Sequence, residues 1–174
     1  ADYSEAIRLD PTFVAAYSNR ANCYLVQGDT DLAMANFDAV IRLDPKHVAT
    51  LINRGNIFRD RKDYDSAIAD YSEAIRLDPS NAIAHNNRGN TFRNQGDIAR
   101  AIGDYDEAVR LDPDYAVAYM NRGAAHYEAR KFERALADFE KALQIDAALS
   151  DAIKGRDLAN IALSAAKPVD RRKP

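Results

Sequence analysis

The sequence ADYSEAIRLD occupies residues 1–10 and occurs again, without a change, at residues 69–78. Unrelated helices do not share their surface positions letter by letter, so this identity indicates a repeated structural unit. Four prolines give the period, because they are spaced by 34 residues and each follows IRLD or VRLD. These are Pro11, Pro45, Pro79 and Pro113. The period predicts four complete units, at residues 11–44, 45–78, 79–112 and 113–146.

The two ends of the sequence do not form complete units. Residues 1–10 correspond to the second helix of a truncated repeat, and residues 147–166 to a C-terminal capping helix over the last unit. The final segment, 167–174, carries four basic residues and one acidic residue, and we expect a disordered basic tail. A start in mid-repeat predicts a piece of a longer array. It also predicts exposed apolar surface on the N-terminal helix, through which the chain could form a homo-oligomer.

Composition excludes several classes of protein. With 47% hydrophobic and 29% charged residues the chain is typical of a folded, soluble protein. The net charge is −3 and the charges are interleaved, so no broad basic surface is predicted for nucleic acid. No apolar run approaches the length of a membrane span, so no membrane insertion is expected. Localisation stays unknown, because a chain that begins inside a repeat shows no signal sequence.

The residues that usually carry chemistry are few and scattered. The single cysteine, Cys23, falls in an apolar helical position and is predicted to be a small buried residue. His47, His85 and His126 occupy different places in their units, and the last two replace aromatic residues, which predicts packing roles. The sequence has no phosphate-binding glycine loop, no nucleophile paired with a base and no metal-spaced quartet. We therefore predict no enzyme, no cofactor and no metal site.

Each unit carries two segments with helical hydrophobic spacing, separated by a turn. In residues 79–112 the turn is QGD, in which Gly96 can end the first helix in the left-handed conformation and Asp97 can cap the second. Residues 27–29 repeat this QGD turn. Lys62 replaces the glycine in the next unit, and the last unit has ARK at 129–131, so these two turns are predicted to be less ideal. Each unit is thus a helix–turn–helix hairpin.

Small residues alternate with aromatic residues where the two helices of a unit must cross. The small residues are Ala21, Gly55, Gly89 and Gly123 in the first helices and Ala33, Ala67, Ala101 and Ala135 in the second helices. The aromatic residues are Phe37, Tyr71, Tyr105 and Phe139. With the 34-residue period and the closing proline, this pattern resembles the tetratricopeptide repeat (TPR) family over all of the chain except its tail. The resemblance implies an all-α, right-handed superhelical array (an α-solenoid) whose first helices line a concave groove.

One departure from the family pattern recurs in every unit. An arginine precedes the small residue, at a position where the family often has leucine. The arginines are Arg20, Arg54, Arg88 and Arg122. A buried charge needs a partner, so we expect their guanidinium groups to pair with Asp70, Asp104 and Asp138 of the second helices. Asn36 replaces the aspartate in the first unit, which predicts a weaker partner there.

Asparagine recurs on the first helices, on the face that the resemblance assigns to the groove. The positions before the arginines and the positions three residues later make up an asparagine ladder. Its members are Asn19, Asn22, Asn53, Asn56, Asn87, Asn90 and Asn121, and Ala124 takes the eighth position. Asparagine is an indifferent helix former, so propensity does not explain this enrichment. A carboxamide donates and accepts like a peptide bond, so the ladder is predicted to bind the backbone of an extended peptide. Such ladders occur in some members of the family.

Two structural explanations of the asparagines remain open: hydrogen bonds across neighbouring helices, and copying by recent duplication. Arg59, Arg93 and Tyr127 complete the predicted peptide-binding set, and the two arginines favour a ligand with acidic residues. The lysine and arginine pattern of the family's carboxylate-gripping members is not reproduced, so a receptor for chaperone tails is not expected. The predicted function is a non-catalytic protein–protein interaction module. The alternatives are a structural spacer or self-association scaffold, and a regulatory part of a larger protein.

Overall fold

A computed structural model describes residues 2–166, and within them every regular element is an α-helix. The predicted all-α repeat fold is confirmed. The predicted tail at 167–174 lies outside the described residues. The helices are α1 (Asp2–Leu9), α2 (Val14–Gln27), α3 (Thr30–Leu43), α4 (Val48–Asp60), α5 (Tyr64–Leu77), α6 (Ala82–Asn94), α7 (Ile98–Leu111), α8 (Ala116–Glu128), α9 (Phe132–Ile145) and α10 (Ser150–Ala166). The chain divides after Thr91 into two compact units, which are described separately.

The first unit contains α1 to α5 and most of α6. Helices α2 and α3 form one hairpin and α4 and α5 form the next. The core contains the small residues predicted at the crossings, with Phe37 and Tyr71 fully buried beside them. A Cβ atom on Gly55 would lie 2.8 Å from the ring of Tyr71. The close approach of α4 and α5 therefore requires glycine at this position.

The second unit contains the end of α6 and helices α7 to α10. Helices α8 and α9 form a hairpin, and α10 packs against both of them. In the core of this unit, Phe139 of α9 packs with Ala152 and Ala159 of α10. The ring of Phe139 faces a glycine on each neighbouring helix, Gly123 of α8 and Gly155 of α10.

The hairpin turns follow the predicted division into two kinds. Gly28 and Gly96 both adopt φ of 84°, whereas Lys62 and Arg130 adopt φ of 63° and 58°. A left-handed conformation costs a residue with a side chain about 1–2 kcal/mol, so the two glycine-free turns are confirmed as less ideal.

The predicted helix caps differ between the two QGD turns. The Asp97 side chain accepts a hydrogen bond from the backbone N–H of Arg100 at 2.9 Å, as expected. Asp29 stands at the same place in the other QGD turn but makes no side-chain cap bond. The expectation that residues 27–29 repeat the cap of α7 was therefore wrong for the side chain, although the backbone turn is the same.

Two of the predicted arginine–aspartate pairs are confirmed, Arg54 with Asp70 and Arg122 with Asp138. Arg54 donates to both oxygens of Asp70 at 2.8 and 2.7 Å, and its third nitrogen donates to Asp38 of α3 at 2.8 Å. Arg122 makes the same three bonds, to Asp138 at 2.9 and 2.6 Å and to Asp106 at 2.8 Å. Each of these guanidinium groups thus joins its own hairpin to the helix that precedes that hairpin, α3 for Arg54 and α7 for Arg122.

In the first hairpin the same arginine position has neutral partners. Arg20 donates to the side-chain oxygen of Asn36 at 2.9 Å and to the hydroxyl of Ser4 at 3.1 Å. The prediction of a weaker partner is confirmed, because a neutral oxygen attracts a cation less strongly than a carboxylate does.

The prediction that Cys23 is buried was wrong, because its side chain is exposed. The residue 34 positions later, Ile57, is buried against Ala21 and Phe37 of the preceding hairpin. Before α2 the described residues contain a single helix, α1, so Cys23 lacks the covering that Ile57 receives.

His85 and His126 are both buried, as their aromatic positions predict. None of the helices within residues 2–166 has the length and hydrophobicity that a bilayer crossing requires.

Candidate functional site

The predicted peptide-binding residues fall mainly around two cavities, one in each unit. The first, here named the α4–α6 cavity, has a volume of about 500 Å³. Helix α4 supplies one wall, and α6 with the residues before it supplies the other. The lining residues are Val48, Ala49, Ile52, Asn53, Asn56, Asp78, Asn81, Ile83 and Asn87. Three ladder asparagines therefore share one cavity with exposed aliphatic surface.

Hydrogen bonds link the ladder asparagines of the first unit to one another. The amide nitrogen of Asn87 donates to the side-chain oxygen of Asn56 at 3.2 Å, and Asn53 donates to Asn22 in the same way at 3.4 Å. The oxygen of Asn56 also accepts the Tyr71 hydroxyl at 2.7 Å. Burial raises the pKa of this tyrosine, so its hydroxyl stays protonated and donates. These are the contacts expected of asparagines that bond across neighbouring helices.

Four of the predicted residues line neither of the two cavities. Asn19 and Asn22 are exposed on α2, and Asn90 is half-buried on α6. Arg59 lies near the end of α4 and donates to Asp60 at 3.2 and 3.0 Å. Its charge therefore already has a carboxylate partner.

The second cavity, here named the α8–α10 cavity, has a volume of about 360 Å³. It contains three residues predicted from the sequence, Arg93, Asn121 and Tyr127. The other lining residues are Met120, Ala124, Glu128, Phe139, Asp151, Lys154, Gly155 and Leu158. Sequence reasoning missed the wall that α10 supplies. A glycine inside a helix, Gly155, is the signal that could have revealed it, because such a glycine often marks a close packing contact.

Ion pairs flank the α8–α10 cavity, whereas its remaining surface is largely apolar. Arg93 donates to Glu128 at 2.9 Å, and this bond is the main reason that the pKa of Arg93 is raised. Lys154 of α10 donates to Asp151 at 3.1 Å. Both cations lining the cavity thus have carboxylate partners. Tyr127 packs against Phe132 with the ring centroids 5.3 Å apart.

The part of the chain that the structure describes, residues 2–166, contains no group of three histidine, cysteine or acidic side chains placed to hold a metal ion. His126 is buried, and within the described residues its Nδ1 atom has no hydrogen-bond partner. Burial lowers the pKa of His126, which favours the neutral ring.

Comparison with known proteins places these hairpins in a family. A model described as tetratricopeptide repeat matches residues 14–47 and 116–147, and one described as TPR repeat matches residues 55–96 and 89–129. Together the matched residues make up more than two thirds of the chain. No curated protein sequence matches it.

Solved structures agree with the family models. The first TPR of Spaghetti (RPAP3), bound to the HSP90 peptide SRMEEVD, is 30% identical; the match covers 70% of this chain and 96% of that chain, with a TM-score of 0.67. YrrB, a TPR protein with an unusual peptide-binding site, is 18% identical over 96% of this chain and 86% of its own, with a TM-score of 0.78. MamA is 24% identical over 87% of this chain and 82% of its own, with a TM-score of 0.77. The last two show similarity of fold alone. The chain belongs to the tetratricopeptide repeat family.

Proposed function

We propose that this chain is a non-catalytic protein–protein interaction module that binds an extended peptide segment through the asparagines of its first helices. The observation that carries the proposal is the α4–α6 cavity, in which Asn53, Asn56 and Asn87 stand beside Ile52 and Ile83. Polar groups with both a donor and an acceptor, set beside aliphatic surface, suit a peptide backbone that carries apolar side chains.

The asparagine contacts limit how much affinity the ladder can provide. Asn53 and Asn87 already donate to asparagines of the preceding first helix, so a peptide must replace these bonds rather than add to them. Exchange of one hydrogen bond for another contributes little to the free energy of peptide binding, at most about 0.5–1.5 kcal/mol for each bond. Burial of aliphatic surface such as Ile83, which is 53% exposed, supplies the remainder. We therefore expect affinity of about micromolar order.

The comparison with RPAP3 supports a peptide as the class of ligand, because that domain is bound to the HSP90 peptide SRMEEVD. We do not extend that ligand to this chain, whose sequence does not reproduce the carboxylate-gripping lysine and arginine pattern. The proposal includes a preference for acidic residues in the ligand. Arg59 and Arg93 already have partners in Asp60 and Glu128, so a ligand carboxylate must compete with them. Such a preference should be small and should decrease with added salt.

A random-peptide display library, selected on the full chain, tests the proposal. Peptides recovered from the library are measured by fluorescence polarisation against the parent and against the variant with both Asn53→Ala and Asn87→Ala. We expect affinity to fall about tenfold or more, from the loss of two carboxamide contacts. The control is Asn160→Ala, which changes an exposed asparagine of α10. Equal affinity for the double variant and the control would reject the role of the ladder.

Self-association is the second candidate, and a specific observation favours it. Helix α1 exposes Tyr3 and Leu9, at 39% and 71%, whereas the identical tyrosine in α5, Tyr71, is fully buried. We expect a mass from light scattering that rises with concentration, and a Tyr3→Ser variant that stays monomeric. A parent chain that stays monomeric throughout a concentration series would exclude this candidate. A spacer without any ligand would be favoured if neither peptides nor second copies bind.

A further inference from the structure

The α8–α10 cavity occupies the place in the repeat where the first unit has a cluster of polar side chains. Two periods separate the corresponding residues, so each position is found by adding 68 to the residue number. Ala124 corresponds to Asn56, Phe139 to Tyr71 and Gly155 to Asn87. At these positions two carboxamides and one phenolic hydroxyl are lost, because alanine, glycine and phenylalanine stand in place of two asparagines and one tyrosine.

The three replaced groups bind one another in the first unit. The oxygen of Asn56 accepts the Tyr71 hydroxyl at 2.7 Å and the Asn87 amide at 3.2 Å. Removal of Asn56 alone would take this partner from both the Tyr71 hydroxyl and the Asn87 amide, which is costly for partly buried polar atoms. Replacement of all three avoids that cost and converts the polar cluster into an apolar surface. Ala124, which interrupts the asparagine ladder, therefore stands beside Phe139 and Gly155, neither of which offers a polar side-chain group to an asparagine.

The new residues also shape the cavity. A Cβ atom on Gly155 would lie 2.5 Å from Cε1 of Phe139, so the ring packs directly on the backbone of α10. Ala124 and Gly155 are both much smaller than asparagine, and space remains between α8 and α10 where Asn56 and Asn87 meet in the first unit. Met120, Leu158 and the Phe139 ring line this space. The two cations beside it are held by Glu128 and Asp151, so an entering group meets no unpaired charge.

We propose that the α8–α10 cavity is a specificity pocket that takes one large apolar side chain of the bound peptide, of the size of leucine, methionine or phenylalanine. This inference rests on the proposed function, because it assigns the pocket to the same peptide ligand. The volume of about 360 Å³ lies at the lower end of the range for small-molecule pockets and accommodates a single side chain with adjoining backbone. A charged side chain is disfavoured, because it would lose its hydration without gaining a counter-ion.

Capped amino acids test the pocket without the rest of a peptide. N-acetyl-leucinamide, N-acetyl-phenylalaninamide, N-acetyl-alaninamide and N-acetyl-lysinamide are titrated into the full chain and followed by NMR at the methyl groups of Met120, Ala124 and Leu158. We expect saturable shifts with the leucine and phenylalanine probes at millimolar concentration. The alanine and lysine probes should bind about tenfold more weakly or worse, because they bury less apolar surface or a charge.

Two variants fill the pocket in different ways. Ala124→Leu occupies it with an apolar side chain, and Ala124→Asn restores the residue type found at Asn56. Ala124 is only half-buried, so both variants should fold, which circular dichroism and the thermal midpoint verify. Both should abolish the saturable shifts.

The control Ile83→Ser removes exposed aliphatic surface from the α4–α6 cavity and should leave the saturable shifts of the α8–α10 cavity unchanged. Equal shifts from all four probes, or shifts that persist in Ala124→Leu, would overturn the pocket.

A display selection separates failure of the pocket from failure of the proposed function. Peptides selected on the parent should share one large apolar residue, and Ala124→Leu should bind them about tenfold more weakly. If peptides are captured with no apolar preference and bind Ala124→Leu equally well, the pocket is wrong while the interaction module stands. If no peptide is captured but the leucine probe still saturates and Ala124→Leu abolishes it, the pocket stands and the peptide function is wrong.

Discussion

The two copies of ADYSEAIRLD form helices in the same unit but have different surroundings. In α5 the residues Asp70, Tyr71 and Ala74 are all buried, because this side of the helix packs against α4. In α1 the corresponding Asp2 is exposed and Tyr3 is 39% exposed. Sequence and helix type are the same, so the neighbouring helix alone accounts for the difference in burial.

On the side that faces the following hairpin the two copies make the same contacts. The Ser4 hydroxyl accepts a hydrogen bond from Arg20 at 3.1 Å, and the Ser72 hydroxyl accepts one from Arg88 at 3.0 Å. Within the helices, Glu5 pairs with Arg8 as Glu73 pairs with Arg76, both at 2.6 Å. Local sequence therefore determines the helix and its own ion pair, whereas the role of each outward side chain depends on which helix stands beside it.

The tyrosines should show the largest difference between the copies. Tyr71→Ala removes a fully buried ring that packs on Gly55 and donates to Asn56, and we expect a loss of about 4 kcal/mol in the free energy of unfolding. Tyr3→Ala should cost less than about 1 kcal/mol, because this ring is partly in water already. Urea denaturation of the two variants measures both values. Similar losses would mean that Tyr3 is buried in solution, as expected if α1 is covered by a second copy.

The aspartates should show the next largest difference. Asp70→Ala leaves the guanidinium of Arg54 with one carboxylate, Asp38, and removes two charge-assisted bonds at 2.8 and 2.7 Å. We expect a loss of about 3 kcal/mol in unfolding free energy, since a partly buried charge loses its main partner. The Asp2 side chain pairs with no other residue in the range 2–166, so Asp2→Ala should change stability by about 0.5 kcal/mol or less. Thermal unfolding at matched salt compares the two variants. A loss above 1 kcal/mol for Asp2→Ala would show that Asp2 is not exposed in solution.

What the sequence predicted correctly depends on spacing inside one repeat. The 34-residue period, the glycines at helix crossings and the pairing of Arg54 with Asp70 are fixed by residues of a single hairpin. The errors concern neighbours. Cys23 was expected to be buried because it falls in an apolar helical position, but only the corresponding residue of the next repeat, Ile57, has a full hairpin in front of it.

The candidate site was predicted unevenly for the same reason. The asparagine column was visible as a pattern, and three of its members line the α4–α6 cavity. Their bonds to one another were predicted only as an alternative explanation, because periodicity does not reveal which helix face meets the next helix. The α10 wall of the second cavity was missed, since Lys154 and Gly155 differ in residue type from the residues at the same positions of the preceding repeats. Their importance comes from packing against α8 and α9.

Helix α10 provides a way to change the surroundings of α1. Arg156 follows Arg122 by 34 residues, and Asp157 stands where glycine stands at 123. Because the corresponding Gly55 lies directly against the ring of Tyr71, we expect an aspartate there to disfavour the packing of α10 of a second copy on Tyr3. Asp157→Gly should therefore strengthen association about tenfold in a light-scattering concentration series, provided that circular dichroism shows α10 intact. Adding Tyr3→Ser should cancel the gain, and an unchanged mass curve for Asp157→Gly would exclude pairing of α10 with α1.

The serines should show the smallest effect, and the comparison predicts that it is equal in the two copies. Ser4→Ala and Ser72→Ala each remove one hydrogen bond from an arginine, at 3.1 and 3.0 Å. Each should lower the unfolding free energy by about 0.5 kcal/mol, because both arginines retain other partners. Denaturant midpoints of the two variants, measured together with the double variant, should differ by no more than their errors. A larger loss for Ser72→Ala would show that α1 is frayed and holds Ser4 less firmly against Arg20 than α5 holds Ser72 against Arg88.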